Sequence, residues 1–166
     1  MSTTTGTLIR DRASAVIKAL VPQSLSGDRF VEHRAELDGD FREYVKGHPD
    51  SAWRRYQVRD EGTSTIPEVS NTDVEETMLD LEVVVAYRQD HRAGGGAAYR
   101  RDAVIDEDYR KINFAIGWCG RSNFPAGSAY DACWRGGEPK QIERDDENGI
   151  DFLVMTLRYS YQLART

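Results

Sequence analysis

The chain has little of what catalytic and metal-binding sites are usually made from. It contains three histidines and two cysteines in 166 residues. His33, His48 and His91 show no His-x-x-x-His spacing and no paired cysteines join them, so solvent-facing or hydrogen-bonding histidines are expected rather than metal ligands. Cys119 and Cys133 form no Cys-x-x-Cys arrangement. They fit reduced, partly buried thiols, with a bridge between them as the alternative. No apolar run approaches the roughly 20 residues that cross a bilayer as a helix, and the first residues lack the apolar core of a signal peptide. Folding in a cytoplasm, away from membranes, is therefore expected.

Motifs that would carry chemistry are equally scarce. Gly94–Gly96 is neither a Gly-x-Gly-x-x-Gly fingerprint nor a P-loop. Ser122 and Ser128 sit in no Gly-x-Ser-x-Gly elbow. The acidic turn Asp145-Asp146-Glu147-Asn148-Gly149 suggests a calcium loop. With Gly149 at the sixth position of an EF-hand, however, Arg144 falls first and Met155 twelfth, where carboxylates are required. No enzyme activity, cofactor or metal is expected from the sequence.

What is present is a soluble, acidic, globular composition. Charged residues make up 30 % of the chain and hydrophobic ones 39 %, with a net charge of −6. Such a balance argues against broad nucleic-acid affinity and leaves room only for a local basic patch. The length suits one domain, residues 1–166, with a sizeable core.

The strongest pattern is the final one. From Gly149 to Leu163, the residues Leu153, Met155, Leu157, Tyr159, Tyr161 and Leu163 alternate with Thr156, Arg158, Ser160 and Gln162, a strand with one buried face. It is two to three times the usual strand length, so it is expected to bend or to project beyond the sheet. Leu79–Tyr87 answers it, with Leu79, Leu81, Val83, Val85 and Tyr87 on one face. Asn148-Gly149 turns a short strand at Lys140–Arg144 into the last strand as a hairpin.

Around these strands the chain alternates helix and turn signals. Thr7 reads as an N-cap for an amphipathic helix carrying Leu8, Ile9, Ala13, Val16, Ile17 and Leu20, stopped by Pro22. Arg29–Glu32 is expected to open the first strand, with Phe30 inward. Asp38-Gly39-Asp40 is turn chemistry, and Phe41, Tyr44 and Val45 suit either one helical turn or a strand. Trp53–Val58 reads as an edge or surface strand because charges fall on both of its faces. Ile105, Tyr109, Ile112, Ile116 and Cys119 mark a second helix, with Asp106 or Asp108 near its start and Gly120 near its end. Ser122–Gly137 reads as loop. The expected class is α+β: an antiparallel or mixed sheet with the N-terminal helix and the second helix packed on one face, closed by a long C-terminal hairpin.

Two stretches stand out as partner surfaces. Asp60–Glu76 is polar, contains six acidic residues (Asp60, Glu61, Glu68, Asp73, Glu75 and Glu76), and is long enough to be a functional loop. Arg88, Arg92, Arg100 and Arg101 flank the triple glycine and could grip an anion or an acidic partner surface.

The order of these elements resembles the tail terminator (tail completion) proteins of long-tailed bacteriophages. The resemblance runs from about Leu8 to Leu163. It rests on the N-terminal helix, the acidic stretch, the strand Val83-Val84-Val85-Ala86-Tyr87, the arginine-flanked linker, the helix Asp106-Glu107-Asp108-Tyr109-Arg110-Lys111-Ile112 and the hairpin ending Val154-Met155-Thr156-Leu157-Arg158-Tyr159-Ser160-Tyr161. It implies an α+β subunit that forms a homo-hexameric ring on the tail tube protein. The ring would end tube polymerisation and meet the head–tail connector or a neck protein, with DNA passing through it unbound. Location in the virion tail or neck, after assembly in the host cytoplasm, follows from the same resemblance. The residues also leave open another neck or head-closure protein, and a monomeric anion-binding module or small enzyme using the Arg88–Arg101 region.

Overall fold

The computed structural model describes residues 5–25, 27–65, 74–89, 97–118, 133–137 and 139–164. Helix α1 (Thr5–Ala19) begins two residues ahead of the expected Thr7 cap. Ile9, Ala13 and Ile17, spaced by one turn, form its buried stripe. The chain then passes through β1 (Val31–Glu32), the short helices α2 (Ala35–Asp38) and α3 (Phe41–Gly47), and the long strands β2 (Arg55–Thr65) and β3 (Val74–Arg88). Helix α4 (Ala97–Trp118), strands β4 (Cys133–Gly137) and β5 (Gln141–Asp145), and the final strand β6 (Ile150–Ala164) complete it.

The strands form one mixed sheet in the order β1-β2-β3-β6-β4, with β5 also paired to β6. Only β1 and β2 run parallel; the other described pairs are antiparallel. Strands β3 and β6 are the axis of the fold. They pair without a register shift from Arg88↔Ile150 to Val74↔Ala164. The overlong last strand therefore has an equally long partner instead of a free end.

One face of this ribbon is the main core. Leu79, Leu81, Val83, Val85 and Tyr87 of β3, and Leu153, Met155, Leu157 and Tyr159 of β6, pack against Ile9, Ala13 and Ile17 of α1 and Val104, Ile105, Ile112 and Ile116 of α4. The alternating face expected from sequence is thus the buried one, with both long helices on it. The opposite face holds a second, smaller core that the sequence reading did not contain. There Val84, Ala86, Ile150, Phe152 and Val154 are covered by Phe41 and Val45 of α3, together with Ala52.

Several local expectations change. Asp60–Thr65 and Val74–Glu76 belong to β2 and β3, so the acidic stretch is mostly a strand pair, not a long loop. Its Thr and Ser residues look like loop in isolation, but cross-strand pairing supplies their backbone partners, and Thr is β-branched. Helix α4 starts at Ala97, not near Asp106, because Ala97-Ala98-Tyr99-Arg100-Arg101 carries good helix formers. Asp106 and Asp108 consequently lie in mid-helix. Within the expected Ser122–Gly137 loop, Cys133–Gly137 is strand β4, and its register shift between Trp134 and Gly137 accommodates the glycines. Phe41–Gly47 is a seven-residue helix, because the Asp40 carboxylate caps it by accepting from the Glu43 N–H at 3.0 Å. The Gly94–Gly96 linker, Cys119 and His91 lie outside the described residues.

Candidate functional site

Three groupings of polar side chains stand out, and each is built by elements distant in sequence. The first surrounds Arg54, the residue just before β2, which sits at φ 54° and is fully buried. Its five N–H donors all find acceptors. Nε and one Nη donate to the two oxygens of Asp108 at 2.8 and 3.0 Å. The remaining donors reach the carbonyls of Ser24, Leu25 and Asp28 at 2.8, 3.0 and 2.9 Å. The Tyr87 hydroxyl donates to the same carboxylate at 2.8 Å. Phe30 and Trp53 present ring faces to the guanidinium at 5.7 and 5.6 Å. This constellation ties Ser24, Leu25 and Asp28 to β3 and α4 and holds a left-handed backbone that an arginine otherwise disfavours. Burial raises the Asp108 carboxyl above its usual range against the pull of Arg54 and Tyr87. The Tyr87 hydroxyl is pushed well above its ordinary value, by burial first and by the Asp108 charge second.

The second grouping lies at the N-terminal end of α4. Arg101 pairs with the fully buried Asp151 at 2.6 Å and donates to the Gln89 carbonyl at 3.2 Å. The Gln89 amide donates to Asp151 at 2.7 Å and to Asp146 at 3.0 Å. Arg88 pairs with Asp50 at 2.5 Å. Of the four arginines expected to form a cationic patch, Arg88 and Arg101 therefore meet carboxylates of their own chain. The side chain of Arg100 and the whole of Arg92 lie outside the described residues. Asp151 carried no sequence signal beyond a single acid amid apolar neighbours, the one mark of a buried charge awaiting a partner, and Asp108, set among Asp106, Glu107 and Arg110, gave no sign of burial.

The third grouping is a cleft of about 330 Å³ between α1, the end of β1 and the outer side of β2. At its floor the Ser14 hydroxyl lies 3.0 Å from Glu32 Oε1, and the Tyr56 hydroxyl donates to the Ser14 carbonyl at 2.8 Å. Burial pushes the Tyr56 hydroxyl up to about 12. His33 also lines the cleft, buried, with Nε2 2.7 Å from the Gly39 carbonyl oxygen and its ring edge against Phe41. His48 stacks on Tyr44 with 4.3 Å between centroids. Of the acidic stretch, Asp60 lines this cleft and Glu61 pairs with Arg59 at 2.8 Å. Glu75 and Glu76 stand on β3 opposite Leu163 and Gln162. Glu68 and Asp73 lie outside the described residues.

Chemically, the first two groupings hold charges that satisfy one another inside the chain, a structural rather than reactive arrangement. Among the described residues no group of three or more His, Cys, Asp or Glu could hold a metal ion. No described helix is long and apolar enough to cross a membrane. No protein-family model matches the chain, and no curated protein matches its sequence.

Proposed function

We propose that this protein is a structural subunit of a phage virion, a tail terminator that forms a ring on the end of the tail tube and joins the tail to the head connector, not an enzyme. One observation supports this reading above the others. Strands β3 and β6 are each fifteen residues long and pair along their whole length, with β2 alongside as far as Thr65. A long strand ribbon is suited to contacts between subunits, where strand edges and hairpins supply backbone hydrogen bonds. The acidic balance of the chain would let DNA slide through a channel without adhering. The competing reading as an anion-binding module loses support from Arg88 and Arg101, which face Asp50 and Asp151.

The test is complementation of a phage lacking this gene. The wild-type protein should restore tails of uniform length joined to heads. Replacing the connector 66–73 by a short Gly-Ser link should spare the subunit fold yet give tails of uncontrolled length or tails without heads, as seen by electron microscopy. Normal virions at normal yield from that variant would reduce the connector to a spacer. Failure of the wild-type protein to locate at the tail end would sink the tail-terminator reading itself.

A further inference from the structure

The two described non-glycine residues with a left-handed backbone meet each other. Leu25 lies at φ 53° and Arg54 at φ 54°, and an Nη of Arg54 donates to the Leu25 carbonyl at 3.0 Å. Such a backbone persists only where the surrounding contacts impose it, and it collects in segments that switch. The two residues are anchored unequally. Arg54 is rooted in the sheet: its N–H donates to the Ala86 carbonyl at 2.8 Å, and its carbonyl accepts from Val31 N–H at 3.0 Å. Leu25 belongs to the connection between α1 and β1, whose described residues form no helix or strand.

Polar side chains from distant elements hold that connection. Arg54 supplies three hydrogen bonds, to the carbonyls of Ser24, Leu25 and Asp28. It is aimed at them by Asp108 of α4, which takes its other two donors. The Ser24 hydroxyl donates to Glu107, the neighbour of Asp108. Arg29 reaches back to donate to the carbonyl of Ala19, the last residue of α1, at 3.2 Å. Among its described apolar side chains α1 buries Ile9, Ala13 and Ile17. Strands β3 and β6, by contrast, pair without a break from Arg88↔Ile150 to Val74↔Ala164. An element held by few buried apolar contacts opens before one held by many.

We propose that Arg54 and Asp108 form a conformational latch. Closed, it ties Ser24, Leu25 and Asp28 to β3 and α4 and thereby fixes the C-terminal end of α1. Open, α1 and the connection behind it leave the sheet as one unit while β3 and β6 stay paired. Opening lets Leu25 and Arg54 leave their left-handed backbone, which favours the open form and offsets part of the lost hydrogen bonding. The latch lies within one subunit, so it goes beyond the ring reading and does not need it.

The experiment is native-state amide hydrogen exchange on the whole protein in low urea. In the wild type, the amides of α1 and the Asp28 N–H, which donates to the Leu25 carbonyl, should exchange through one shared opening. Their opening free energies and urea dependence should agree with each other and fall below those of β3 and β6. The double variant Arg54→Met, Asp108→Leu removes both charges together, so neither is left buried alone. It should speed exchange in α1 and at Asp28 by a common factor of at least about ten, and in β3 and β6 by less. Arg158→Ala, which breaks a surface pair, should leave the exchange of α1 and Asp28 unchanged. Wild-type α1 and Asp28 amides that open separately, or only together with β3 and β6, would overturn the proposal, and this reading holds even if the double variant does not fold. A folded double variant with unchanged exchange in α1 and at Asp28, or with equal acceleration in β3 and β6, would overturn it as well.

Discussion

The two halves of the β3–β6 ribbon share one buried face and differ completely on the other. Near the hairpin, the second face carries Val84, Ala86, Phe152 and Val154 under α3. Farther along, the same face carries Asp80 paired with Arg158 at 2.8 Å and Glu82 paired with Arg59 at 2.9 Å, in contact with solvent. One strand thus passes from a sheet covered on both sides to a sheet covered on one, within a few residues. The buried half includes Arg54 and Asp108, whose charges exist there only because every donor of the guanidinium is bonded. The difference implies that identical chemistry, an arginine beside an aspartate, has opposite weight in the two halves. In the interior, removing one partner strands a desolvated charge, whereas at the surface water replaces it.

The sharpest break of this comparison is Leu157→Asp, on the face both halves share. Leu157 is buried in the main core, so an unpaired carboxylate there should cost several kcal/mol and unfold a domain of ordinary stability. A soluble variant with an unchanged melting temperature would mean that the core faces are assigned backwards. Next comes Arg54→Ala, expected to lower the unfolding free energy by about 3–5 kcal/mol, measured by urea titration, because it leaves Asp108 buried without its cation. The double variant Arg54→Met, Asp108→Leu should recover much of that loss, which separates the cost of an orphaned charge from the worth of the pair. Arg158→Ala, the surface counterpart, should change stability by less than about 1 kcal/mol.

Two smaller effects depend on pH. The Tyr56 hydroxyl is raised from 10.0 to about 12, and that of Tyr87 is raised well above its ordinary value. A raised folded value means that the stability these groups contribute is complete below about pH 10, the unfolded value. It is lost as pH rises through the folded value. Tyrosinate absorbance for these two should therefore appear only as the protein unfolds in alkali. The smallest effect concerns Asp145, held below the usual carboxylate range by the side chain and backbone N–H of Asn148. Its contribution is present above the ordinary carboxylate value and disappears as pH falls through the lowered one. In an NMR titration, Asn148→Ala should move the Asp145 midpoint upward, part of the way back.

The alternating residues from Leu79 to Tyr87 and from Leu153 to Tyr159, the helical spacing of Ile9, Ala13 and Ile17, and the Asn148-Gly149 turn were sufficient to name the main elements and the buried face. Periodicity is a local property, and it is enough when one face must be apolar. The extent of the strands was not legible in the same way. Asp60–Thr65 and Val74–Glu76 are polar, and only pairing with a neighbouring strand makes them β. The cleft was equally hidden, because its walls come from α1, β1 and β2, and no spacing in the sequence brings Ser14 to Glu32 and Tyr56.

The sequence by itself determined an α+β chain with one dominant core and an acidic surface, because hydrophobic alternation and charge balance are written residue by residue. Only the tertiary structure decided that Arg54 and Asp108 are interior and that Arg88 and Arg101 face the chain's own carboxylates. It also decided that β1 pairs with β2 only at Arg55 and Tyr56. Each of these depends on which residues meet across dozens of positions. The free energy of a charge is set by that meeting and not by the charge itself.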